Sequence, residues 1–191
     1  MEQEILENSA VLPGMNSISL SLPAEQLSVF FPILQSGVTV PATVGCTLKS
    51  LLCDQFAIPA EYVTDRVTTI FLDNRPVDDL VRTLIHDGSR LTLSAAMPGL
   101  VGATLRRGGF YAALRQGISH VTENGAASGE NGTIRLKLFN LLLAELGPLV
   151  LARGLILEKS ELAELLTRLP VLAEAQSDSK NRVLLIAKFS G

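Results

Sequence analysis

Residues 67–98, VTTIFLDNRPVDDLVRTLIHDGSRLTLSAAMP, decide the fold. Val67 to Leu72 is β-branched and apolar, the composition that a pleated, half-buried strand favours. Asp73-Asn74 ahead of Pro76 supplies residues that tolerate a tight turn. His86-Asp87-Gly88-Ser89 makes a second turn, and Arg90-Leu91-Thr92-Leu93-Ser94 then alternates polar with apolar, the period of a strand with one face covered. The stretch reads as strand, short irregular crossing, turn and strand, with Phe71, Leu91 and Leu93 assigned to the core.

Toward the amino terminus, Thr47 is the expected N-cap of a helix over Leu48–Phe56, in which Leu48, Leu51, Leu52 and Phe56 recur at helical spacing. Ile58-Pro59 ends it. Before the helix, Ser17–Leu22 alternates strictly and predicts a first strand, stopped by Pro23. Residues 24–36 are a turn of helix or a loop. Gly37–Val44 predicts a second strand, in which Pro41 is tolerable only at an edge or a bulge. Residues 1–15 read as a tail, punctuated by Pro13-Gly14. No glycine-rich turn follows a strand, so an alternating dinucleotide-binding fold is not expected.

Strand, strand, helix, then LDNRPV, a gap and HDGSRLTLSAAMP resembles the β-grasp (ubiquitin-like) fold, nearest its sulfur-carrier group, the molybdopterin synthase small subunit and the thiamine sulfur carrier. The resemblance covers residues 16–102 and implies a mixed sheet with one main helix and the last strand in the centre. Leu105-Arg106-Arg107-Gly108-Gly109 is similar to the Leu-Arg-Gly-Gly tail through which ubiquitin-like proteins are activated. That likeness makes Arg106, Arg107, Gly108 and Gly109 a possible carrier tail. The diglycine is internal, so a reactive carboxylate at Gly109 requires proteolysis. A sulfur carrier's own tail would fall nearer Pro98–Gly102, where paired glycines are missing. Glycines in a connecting loop are the alternative reading.

Toward the carboxyl terminus, Phe110–Ile118 suits a short amphipathic helix, and Asn124–Gly132 (NGAASGENG) is the clearest linker. Ile134, Leu136 and Leu138 alternate with Arg135 and Lys137 as a strand start would, but the leucines of 138–151 favour a helix kinked at Pro148. The apolar run Leu136–Leu157 carries Lys137, Glu145 and Arg153 and a Gly147-Pro148 break, which predicts a buried helical hairpin rather than a membrane span. Ser160 is the expected cap of a helix with Leu162, Leu165, Leu166 and Leu169 on one face, and Arg182–Phe189 is a final strand. The expected organisation is α+β: a tail at 1–15, a β-grasp domain at 16–102, a connecting helix and linker at 103–132, and a leucine-rich helical unit with a final strand at 133–191.

A net charge of −3 and a pI near 5.4 leave no basic footprint for nucleic acid. With no tryptophan and 5 % aromatic residues there are few stacking platforms either. Hydrophobic residues at 47 % and a mean hydropathy of +0.34 predict an extensive core or an apolar surface that meets a partner. MEQEILENSAVLPG lacks the basic and apolar regions of a secretory signal. Cys46 and Cys53, read as one face of one helix, are too far apart for an intrahelical disulfide, so a reduced cytoplasmic setting is expected.

Other chemistry is sparse. His86 and His120 are the only histidines and lack the short paired spacings of a zinc site. Asp73, Asp78, Asp79 and Asp87 flank two turns, where aspartate serves local structure as readily as acid–base or cation chemistry. Arg82, Arg90, Arg106, Arg107 and Arg115 are either an anion-binding surface or solvated side chains. No catalytic, metal or cofactor-binding set emerges. The expected function is a non-enzymatic, protein-binding module that uses the exposed face of its sheet. Rivals are a carrier processed at Gly108-Gly109, a small enzyme or metal protein using His86, Asp87 or Cys53, and a homo-oligomer assembled through the carboxyl half.

Overall fold

The computed structural model describes residues 15–115, 119, 129–169 and 182–190. Its strands are β1 (Asn16–Pro23), β2 (Val38–Val44), β3 (Thr69–Leu72), β4 (Arg75–Pro76), β5 (Arg90–Ser94), β6 (Glu130–Phe139), β7 (Leu155–Glu158) and β8 (Arg182–Ser190). They form one mixed sheet in the order β1-β8-β7-β2-β6-β5-β3-β4, parallel at β1/β8 and β5/β6 and antiparallel elsewhere. Its helices are α1 (Phe31–Ser36), α2 (Leu48–Ser50), α3 (Ala60–Asp65), α4 (Gly99–Leu105), α5 (Leu142–Arg153) and α6 (Lys159–Arg168). Several helices thus accompany the sheet instead of one main helix.

The anchoring stretch folds as its residues dictate. Asp73 and Asn74 both take positive φ, 49° and 67°, in the tight turn joining β3 to β4. β5 is internal, flanked by β3 and β6, and buries Leu91 and Leu93. Thr47 caps α2 by accepting from Ser50 N at 3.1 Å, and the helix runs on as a π-helical turn, Leu51–Gln55.

The first strand is where the pattern misleads. β1 forms where the alternation places it but pairs with β8, while β2 has β6 and β7 as neighbours. The run Leu136–Leu157 is buried as strand, helix and strand, not as a helical hairpin. The alternation of Ile134, Leu136 and Leu138 wins through Phe139 because all three sit on the covered face of an internal strand. Glu158, not Ser160, caps α6, in a capping box with Glu161. Cys46 precedes α2 and so does not share a helix with Cys53.

Pro41 sits in an internal strand, against expectation, and the reason is local. β7 pairs with β2 only at Thr39, so among the described residues no strand lies on that side beyond Thr39. Side chains replace the missing strand. The Gln55 amide accepts from Thr43 N and donates to Thr43 O, both at 2.8 Å, and Arg153 Nε donates to Pro41 O at 2.9 Å. One apolar cluster joins Val38, Val40, Leu51, Leu72 and Leu93 to Ile134, Leu138, Leu146, Leu151 and Leu185, so residues before and after the 124–132 segment share a core.

Candidate docking face

Arg106, Arg107, Gly108 and Gly109 follow α4 in a turn fastened to the body. Arg107 N donates to Thr68 O at 2.7 Å and its Nη2 to Val63 O at 2.6 Å, while Gly109 N donates to Arg106 O at 3.1 Å. Burial lowers the Arg107 pKa. Arg115 is only 2 % exposed and makes a bidentate pair with Asp78 at 2.6 and 2.8 Å. It also donates to Thr104 O and Arg106 O. Arg107 and Gly108 line a cleft of about 800 Å³ with Lys49, Cys53, Asp78 and Asp79.

The two carboxylates of this cleft serve the fold. Asp78 is taken by Arg115, and Asp79 Oδ1 accepts from Val81 N and Arg82 N, both at 3.0 Å. Cys53 reaches the cleft, but His86 and Asp87 do not line it. Asp87 Oδ1 instead accepts from Thr133 N at 2.7 Å. Among the described residues no three His, Cys, Asp or Glu side chains gather as a metal would require. His120 lies outside the described residues.

The face of β5 and β6 turned away from the core holds a different set. Leu91 and Leu93 face the core beside Leu136 and Leu138, so the alternating residues point the other way. Across β5 and β6 the register sets Arg90 beside Arg135, Thr92 beside Lys137, and Ser94 beside Phe139; Phe71 of β3 lies beside Thr92. Arg135 and Lys137 converge over Gly37. A Cβ added there would lie 3.3 Å from Arg135 Nε and 3.0 Å from Lys137 Cε. Among the described residues, no carboxylate pairs with Arg90, Arg135 or Lys137. Asp73 Oδ1 in the adjoining turn accepts from Arg90 N at 2.8 Å, and Asp87 is committed to Thr133.

Beside these cations lies a recess of about 340 Å³ walled by Phe71, Met97, Pro98 and Phe139, with Thr92 and Asn140 as polar members. Asn140, at φ 57°, donates its side-chain amide to Ser94 Oγ at 3.1 Å and to Ala96 O, which fixes one wall. The arrangement can seat one apolar side chain and hold acidic groups around it. Of its residues, the sequence singles out Arg90 as a candidate anion contact; Phe71, assigned to the core, instead pairs with Thr92 on the opposite face from Leu91 and Leu93, only partly buried and outside the main apolar cluster. Arg135, Lys137 and Phe139 were hidden in a run weighed as helix, and the one signal for them is the alternation from Ile134 to Leu138.

No family model, curated protein or solved structure matches this chain.

Proposed function

We propose that this chain is a non-enzymatic binding module, of β-grasp type, that docks an acidic protein segment on the face of β5 and β6 turned away from the core. The observation that carries this reading is the group of three cations without carboxylate partners among the described residues, Arg90, Arg135 and Lys137, beside the apolar recess of Phe71 and Phe139. A cation kept from an internal partner is available to an external one, and a recess for one apolar side chain supplies the anchor that such interfaces use. The β-grasp assignment draws support from the order β2, helix, β3, β4, β5 with β5 internal, and from β6 standing beside both β2 and β5, where the first strand of that fold is wanted. The two unpaired cysteines accord with a cytoplasmic setting. Carrier chemistry at Gly109 would need a protease to free a carboxylate from a turn pinned by Arg107 and Arg115, which favours binding over group transfer.

The test uses a fluorescent peptide of glutamate and serine with a single central phenylalanine. The unaltered chain is expected to bind it with an affinity that falls at least about tenfold as salt rises through the physiological range. The double variant Arg135→Glu/Lys137→Glu should lose that binding while keeping its melting temperature. Equal binding by the unaltered chain and the variant, or equal binding of a lysine-for-glutamate peptide, would refute the proposal.

A further inference from the structure

We propose that a second copy of this chain pairs with the edge of β1 that faces away from β8, antiparallel across a two-fold axis, so that two sheets join into one. The sheet ends differently on its two sides. β4 is two residues long and consists of Arg75 and Pro76, the charge and the proline that keep other chains off an edge. β1 runs eight residues without a charged side chain, and its proline comes only at the last position. Every residue of β1 is in register with β8, from Asn16 opposite Val183 to Pro23 opposite Ser190, and among the described residues nothing pairs with its other side.

The core also stops short at this edge. Ile18 and Leu20 pack against the main apolar cluster yet stay partly exposed, while Leu22 is buried. Self-pairing suits such a strand. Side chains alternate with period two, so Ile18, Leu20 and Leu22 share one face and Ser17, Ser19 and Ser21 the other. An antiparallel pair centred on Ser19 sets Ile18 opposite Leu20, Leu20 opposite Ile18, and serine opposite serine. The two half-covered apolar rows then shield each other, and no like charges meet. A two-fold pairing uses the edge up on both copies, which gives a dimer and not a fibre.

Sedimentation of the full chain at micromolar concentration is expected to give twice the 20.4 kDa chain mass. Ser19→Lys sets two ammonium groups face to face and should weaken the dimer at least about tenfold, with unchanged circular dichroism. Arg75→Glu, at the far edge, should leave the dimer intact. A 20.4 kDa species at every concentration, or a Ser19→Lys dimer as tight as the unaltered one, overturns the proposal. If Ser19→Lys does not fold, isotope-filtered NOEs in a mixed labelled and unlabelled sample of the unaltered chain decide. Contacts from Ile18 of one copy to Leu20 of the other support the pairing, and their absence overturns it.

Discussion

Arg115 shows how far a side chain's role can lie from its sequence context. In FYAALRQ nothing marks it for burial, yet it is the largest fully buried side chain among the described residues. Its charge is held by Asp78, itself 42 % exposed, and by the carbonyls of Thr104 and Arg106. Removing the aspartate strands a buried cation, which is costly. Asp78→Ala is therefore expected to release the 99–115 segment, speeding amide exchange there at least about tenfold, whereas exchange in β6 stays unchanged. Tyr62 offers a second test. Its hydroxyl donates to Glu145, which also pairs with Arg66. Burial first, and then the Glu145 carboxylate, push the Tyr62 pKa up to about 12. Folding favours the neutral phenol, so this contribution is complete below about pH 10, where a free tyrosine ionises, and is lost as pH rises toward 12. The chain has two tyrosines and no tryptophan. Absorbance at 295 nm should show one tyrosine's share rising only near pH 12, and Tyr62→Phe should remove that step.

At the scale of the element, much was legible because local chemistry and tertiary context agree. The alternation of Ser17–Leu22, the cap at Thr47 and the Asp73-Asn74 turn each name their element correctly. In the run Leu136–Leu157 the helix with Pro148 inside it was legible, as α5, but its flanking strands were not, because leucine suits a helix and a fully buried strand alike, and only the sheet's position tells them apart. The strand itself was legible in Gly37–Val44, but what holds it beyond Thr39 was not, since Gln55 and Arg153 come from other parts of the chain. Arg153 also lies over the Phe56 ring at 5.3 Å. Gln55→Ala would leave Thr43 N and O without these partners, and a loss of about 1–3 kcal/mol in urea unfolding is expected. Gly37 ends α1 at φ 109°, in a region closed to other residues, and lies beneath Arg135 and Lys137. Gly37→Ala should cost about 1–3 kcal/mol and displace the Lys137 side chain, which proton–carbon spectra of the lysine methylenes can follow.

For the whole molecule, the decisive fact is that β6 stands between β2 and β5, making residues on both sides of the 124–132 segment parts of one sheet and one core. Period-two alternation marks a strand but does not say which strand lies beside it, so the first strand's place in the sheet could not be read from Ser17–Leu22. The candidate face was half legible on the same grounds. Arg90 was legible as a candidate anion contact, whereas Phe71 was assigned to the core, and Arg135, Lys137 and Phe139 join the face only once β6 is seen to run parallel to β5. The most direct test of the account is an amide proton–nitrogen map of the full chain as the glutamate-rich, phenylalanine-bearing peptide is added. The account predicts shifts confined to Phe71, Thr92, Lys137, Phe139 and their strand neighbours, fading as salt is raised. Shifts centred instead on the cleft of Lys49, Cys53 and Arg107, or none at saturating peptide, would contradict it.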